Sequence, residues 1–158
     1  MNIIKNEFEV IVRKNSLIKS RQWWLNSIKK LKLLLLKHLP KEKILLTKQA
    51  VFTLLITNNK EIKRLNSKYR KLDKATDVLS FALDKKEQAK SKYLGDIVIS
   101  SQKAKQQAEE KYFSTDNELI MLLVHGYLHL LGYDHENKKE AKSMFSLQNK
   151  LLVEMLFY

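Results

Sequence analysis

The sequence predicts an α+β fold, a single domain in which a mixed β-sheet is covered by packed helices. Two observations carry that prediction. Strand-like and helix-like segments interleave through the first two thirds of the chain and give way to helices alone, in the order β-α-β-α-β-β-α-α-α. No repeat, low-complexity stretch or linker divides the 158 residues, which are enough to bury one sizeable core.

Each element has a local reason. "FEVIVRK" (Phe8 to Lys14) alternates apolar and polar residues, the period of a strand. From Ser20 to Leu39, Trp24, Ile28, Leu31, Leu35 and Leu39 fall on one helical face, and Pro40 stops the helix. "KQAVFTLLITN" (Lys48 to Asn58) is β-branched and apolar, a central strand. "NKEIKRLNSKYR" reads as a short helix capped by Asn58 or Asn59. "KATDVLSFAL" (Lys74 to Leu83) holds a buried strand, and "KKEQAKSK" reads as a solvated hairpin connection to the strand "YLGDIVIS" (Tyr93 to Ser100). "SQKAKQQAEEKY" is a helix with a polar face. The next helix opens at Thr115, with Glu118 spaced for a capping box, and runs through "ELIMLLVHGYLHLL". A last amphipathic helix spans about Lys138 to Leu156.

Composition narrows the function. Without cysteine there are no disulfides and no thiolate metal site. The N-terminus carries Glu7 and Glu9 among its apolar residues and lacks a cleavage pattern, and "LLLL" (Leu33 to Leu36) is bracketed by Lys32 and Lys37. The expectation is therefore a cytoplasmic protein without a signal peptide or membrane span. The net charge of +13 suits a polyanion, nucleic acid above all. Of the 30 basic residues only Arg13, Arg21, Arg64 and Arg70 are arginine, and that lysine skew is also what an AT-rich genome writes on any protein.

The chemistry concentrates in "HGYLHLLGYDH". Three of the four histidines and two of the three glycines lie in these eleven residues. His125 and His129, at i and i+4, share one helix face. Gly132 is suited to end the helix in a left-handed turn, so that His135 can swing back as a third ligand. The spacing H-x-x-x-H-x-x-G-x-x-H is zincin-like, as in metzincin metalloproteases, and three histidines with an open position form the pattern of a catalytic zinc site. The fourth histidine, His38, reads as a last-turn or surface residue favourable to its helix dipole. In H-E-x-x-H proteases a Glu base follows the first His. Here Gly126 stands there, either for close helix packing or to clear space beside the metal. Asp134 reads as a group orienting a ligand His. Asp77 reads as a turn cap, and Asp96 precedes the buried apolar run of its strand.

With these residues in view, the chain resembles the YbeY-type endoribonucleases, the bacterial rRNA maturation factors. The match rests on "LNSKYRKLDKATDVLSF" (Leu65 to Phe81), "LGDIVIS" (Leu94 to Ser100) and the histidine stretch followed by a helix with Met144. The resemblance implies one zinc ion held by His125, His129 and His135, and a functional Arg70. It implies cleavage of single-stranded RNA in 16S rRNA 3′-end maturation and ribosome quality control. The implied partners are rRNA and the small ribosomal subunit with its associated proteins, not DNA or a membrane. The chain departs from the family where "RKLDKAT" replaces the usual Arg-Gly-Lys-Asp-Lys-Pro-Thr: Lys71 stands for Gly, Leu72 for Lys and Ala75 for Pro. Ala82 stands where a Pro usually follows "LSF". The alternative readings are a zincin-like metalloprotease, disfavoured by Gly126, and a non-catalytic RNA-binding assembly factor with structural zinc.

Overall fold

Apolar spacing along α1 (Arg21–His38) places Trp24, Ile28, Leu31 and Leu35 on one buried face, as one helical stripe requires. Ser20 caps this helix by accepting from the Trp23 N–H at 3.2 Å. The structure, a computed structural model, describes residues 9–12 and 19–158. Among them the elements follow in the order β1 (Glu9–Val12), α1, α2 (Lys41–Gln49), β2 (Val51–Thr57), α3 (Asn59–Arg70), β3 (Val78–Ala82), α4 (Lys85–Ser91), β4 (Tyr93–Ser100), α5 (Ser101–Glu110), α6 (Thr115–Leu130) and α7 (Lys138–Phe157). The α+β prediction and its mixed sheet hold. Phe8, Arg13 and Lys14 of the first predicted strand lie outside the described residues.

The strand order is β1-β2-β4-β3. β2 pairs in parallel with β1 and with β4, whereas β3 runs antiparallel to β4. Alternation along the strands gives the sheet two apolar faces. Leu54, Ile56, Ile97 and Ile99 join the main core with α1, α6 and α7. Leu79 and Val98 face the other way, packing on Ile62 of α3 in a smaller cluster. α6 is buried along most of its length, so the histidine helix is held by the core itself.

Three local expectations change. Pro40 ends α1 but also precedes α2, a helix not predicted from the sequence; proline lacks a backbone N–H, and a helix start needs none there. "KKEQAKSK" is not a solvated loop: Asp84 caps α4 by accepting from the Glu87 N–H at 3.0 Å, and Gln88 is buried. It does join the antiparallel neighbours β3 and β4. α6 is capped by Ser114, which accepts from the Asn117 N–H at 3.1 Å, and not by Thr115. Ser114 supplies a hydroxyl one residue earlier, so Glu118 is free of capping; it is buried and pairs with Lys111 at 2.8 Å.

Candidate metal centre

The histidine helix ends in a Schellman motif. The Tyr133 N–H reaches the Leu128 carbonyl at 3.0 Å and the Gly132 N–H reaches the His129 carbonyl at 3.0 Å. Gly132 adopts φ +87°, a conformation that disfavours a Cβ. Two further groups occupy the last carbonyls, which helix geometry leaves without internal partners. Buried Gln88 donates to Leu130 O at 2.8 Å, and Lys43 of α2 donates to Leu131 O. The two helices that sequence reading missed therefore both hold the end of the histidine helix.

Beyond that turn His135 comes back to the helix. The ring centroids of His135 lie 5.6 Å from His125 and 5.2 Å from His129. One nitrogen from each of the three histidines lies within 4.8 Å of the others. Asp134 accepts from the His135 N–H at 2.7 Å, so it shapes the loop that presents His135. Phe145 of α7 stacks on the His135 ring at 5.8 Å with planes 13° apart.

The donor set fits a metal ion. His125 Nδ1 donates to Gln148 Oε1 of α7 at 2.8 Å, which leaves Nε2 with a lone pair. That Nε2 lies 3.1 Å from the Nε2 of His129. Burial, followed by the charges of His125 and His135, holds the His129 pKa below its usual value, which favours the neutral, ligating imidazole. Three neutral nitrogen donors suit zinc and other first-row divalent ions. His38 takes no part: its side chain is buried at the end of α1 and pairs with Glu154 of α7.

Arg70 enters the same cleft, of about 630 Å³, together with the three histidines. It ends α3, donates to Ser80 O at 2.8 Å and lies over the Phe81 ring. Asp77 also lines the cleft, but its carboxylate accepts from the Val78 N–H at 2.7 Å and from the Thr76 hydroxyl at 3.2 Å. It is a turn cap. Asp96 accepts from the Tyr93 hydroxyl and lines a different hollow. Gly126 resolves in favour of packing. A Cβ there would stand 2.9 Å from Ile97 Cγ2 and 3.2 Å from Ser80 Oγ. Sequence reading missed Gln148 and Phe145, because nothing near them in the chain marks them as neighbours of the motif.

A mixed sheet backed by a buried helix, with three histidines gathered around its C-terminal turn, defines an α+β protein with a histidine cluster that could hold a metal ion and an arginine in the same cleft. The family model described as Endoribonuclease YbeY matches residues 15–156. The chain belongs to the YbeY endoribonuclease family. It is 50% identical over 97 residues to Endoribonuclease YbeY of Sulfurihydrogenibium sp. (strain YO3AOP1), an alignment covering 61% of this chain and 64% of that relative. It is 43% identical over 112 residues to Endoribonuclease YbeY of Bacillus subtilis (strain 168), covering 66% of this chain and 71% of the relative. The chain thus aligns with somewhat under two thirds of the length of the Sulfurihydrogenibium protein. A Thermotoga maritima protein solved in solution superposes with a TM-score of 0.65 at 28% identity, covering 94% of this chain and 88% of that one.

Proposed function

We propose that the chain is a metal-dependent hydrolase, a zinc endoribonuclease that cuts single-stranded RNA. The observation that carries this reading is the shared cleft of Arg70 and the three histidines. When bound, zinc supplies Lewis acidity at a phosphoryl oxygen and makes a nucleophilic water easier to deprotonate. His125, His129 and His135 hold the ion. Arg70 binds the phosphate. Among the described residues its guanidinium makes one hydrogen bond, to Ser80 O, so other N–H donors of the planar fork are available to paired phosphate oxygens. Its role in turnover is to stabilise charge that develops on the phosphate. The net charge of +13 draws the RNA backbone in. Gly126 supports a nuclease over a protease, since the position after the first histidine carries no carboxylate and is packed against Ile97.

The natural substrate on this reading is rRNA: 16S 3′-end maturation and ribosome quality control in the cytoplasm, with the small subunit as partner and neither DNA nor a membrane. No helix among the described residues is long and apolar enough to cross a membrane. The test is cleavage of single-stranded RNA, single-stranded DNA and casein by the same sample, with metal content measured. RNA cleavage should vanish with chelator and with His125→Ala. Arg70→Glu should lower RNA turnover by about 10²- to 10³-fold with metal still bound. Cleavage of casein, or RNA cleavage retained by His125→Ala, would reject the reading. Unprocessed 16S 3′ ends in cells depleted of the protein would support the rRNA role, and normal ends would remove it.

A further inference from the structure

The edge strand β3 separates two hollows. Ser80 lines the metal cleft, while Phe81, one residue on, faces the opposite side of the sheet. There a second hollow of about 390 Å³ is lined by Leu55, Leu65, Tyr69, Phe81 and Val98, with Asp96 among its polar groups. Tyr69 is 57% exposed, and its ring meets Phe81 edge to face with centroids 5.3 Å apart. A cation flanks each ring. Lys68 Nζ lies 5.0 Å from the Tyr69 centroid, and the Arg70 guanidinium lies 5.7 Å from the Phe81 centroid. Lys68, Tyr69, Phe81 and Arg70 therefore form a row in which two cations flank a pair of aromatic rings. Its last member also bonds Ser80 and lines the metal cleft.

Single-stranded nucleic acid is bound by this combination of features: aromatic faces for bases beside cations for the intervening phosphates. We propose that the hollow is a nucleobase subsite. A base of single-stranded RNA, next to the nucleotide whose phosphate meets Arg70, stacks against Tyr69 and Phe81, and Lys68 meets a neighbouring phosphate. The substrate then crosses the edge of β3, with its scissile phosphate on one side and a stacked base on the other. This subsite rests on the reading of the chain as an RNA nuclease. It favours RNA with unpaired bases over duplex, because a base held in a helix cannot turn into the hollow.

Steady-state cleavage by the full chain tests it, using the wild type, Tyr69→Ala and Tyr69→Phe. The substrates are a single-stranded oligoribonucleotide, the same oligomer with an abasic residue scanned through each position, and bis(p-nitrophenyl) phosphate, which has no base. Tyr69→Ala should raise KM for the oligomer by about 5- to 150-fold, the range of one stacked base, and Tyr69→Phe should restore it. Cleavage of the small diester should not change. One abasic position should impair the wild type similarly and leave Tyr69→Ala unaffected. An unchanged KM for Tyr69→Ala on RNA that the wild type cleaves would overturn the subsite while leaving the nuclease reading intact. So would a loss shared by the small diester, or a dimer that Tyr69→Ala dissociates without changing KM, which would assign the hollow to a second copy of the chain. A wild type that cleaves no RNA would defeat the nuclease reading and the subsite with it.

Discussion

Gln148 Oε1 accepts the Nδ1 proton of His125 at 2.8 Å, linking α7 to the first residue of the histidine motif. Gln148 is buried, and the bond sets both the tautomer and the ring orientation of a candidate ligand. Gln148→Leu should therefore weaken metal binding by about 10- to 100-fold, although it removes no ligand. Competition against a fluorescent chelator measures this. An unchanged affinity in a folded variant would show that packing alone orients His125.

Lys71 closes α3 at φ 60°, ψ 26°, in the left-handed region, just after Arg70. Its N–H reaches the Ser67 carbonyl at 3.1 Å, so the conformation is locked by the helix end. A Cβ in this region costs on the order of 1 kcal/mol, whereas glycine bears no such penalty. Lys71→Gly should stabilise the protein by about 0.5–1 kcal/mol in urea denaturation, the gain being reduced by the greater freedom of glycine in the unfolded chain. Lys71→Ala keeps the Cβ and should gain nothing. Equal effects of the two substitutions would assign the change to the lysine side chain instead.

The parts of the molecule that were legible in advance are those where cause and effect lie close together in sequence. The stripe from Trp24 to Leu35, the Asn58 cap and the turn at Gly132 each follow from residues within a few positions of one another. So does the convergence of His125 and His129. The helices α2 and α4 were hidden because their stability comes from elsewhere. Lys43 and Gln88 are anchored on the end of α6, and their own segments are short, polar and weakly patterned. Gln148 and Phe145 were hidden for the same reason, since α7 meets the histidines only in the folded chain. The union of Arg70 with the histidines was implied by family resemblance alone; its physical cause is the pairing of β3 with β4, which brings the end of α3 to the cleft.

Glu154 of α7 ties down the end of α1. Lys37 Nζ lies 2.9 Å from its carboxylate, and His38 Nε2 contacts the other oxygen. The hydrogen bond from Lys37, then that from His38, holds the Glu154 pKa below the usual carboxylate value. A carboxylate with a depressed folded-state pKa contributes stability that is complete above its unfolded value of roughly 4.3 and is lost as pH falls through the folded value. Glu154→Gln should lower the melting temperature at pH 7, and the gap from wild type should narrow as pH drops below about 4.3. The contact is partly exposed, so added salt should shrink the gap at pH 7 as well. A gap that stays constant from neutral to acid pH would mean that the carboxylate charge contributes nothing.

Gly126 sets two opposed effects against each other at one position. Replacing a mid-helix glycine by alanine gains about 1 kcal/mol of helix propensity. Against this, the new Cβ would stand 2.9 Å from Ile97 Cγ2, in the middle of the core, where both residues are buried. Overpacking of a dense interior costs about 1–3 kcal/mol, and the β-branched Ile97 cannot swing its methyl aside without leaving its rotamer. The clash should win, so Gly126→Ala should destabilise by up to about 2 kcal/mol. In an Ile97→Ala background the same substitution should become neutral or stabilising, because Cγ2 is gone. The non-additivity of this double-mutant cycle isolates the contact. Gly126→Glu, which restores the protease-type carboxylate, should be worse than alanine and yield no casein hydrolysis, since a longer side chain starts from the same blocked Cβ. Urea midpoints of the four proteins in the cycle decide the matter: stabilisation by Gly126→Ala in the wild-type background would show that propensity outweighs packing, and that the glycine is there for a reason other than contact with the sheet.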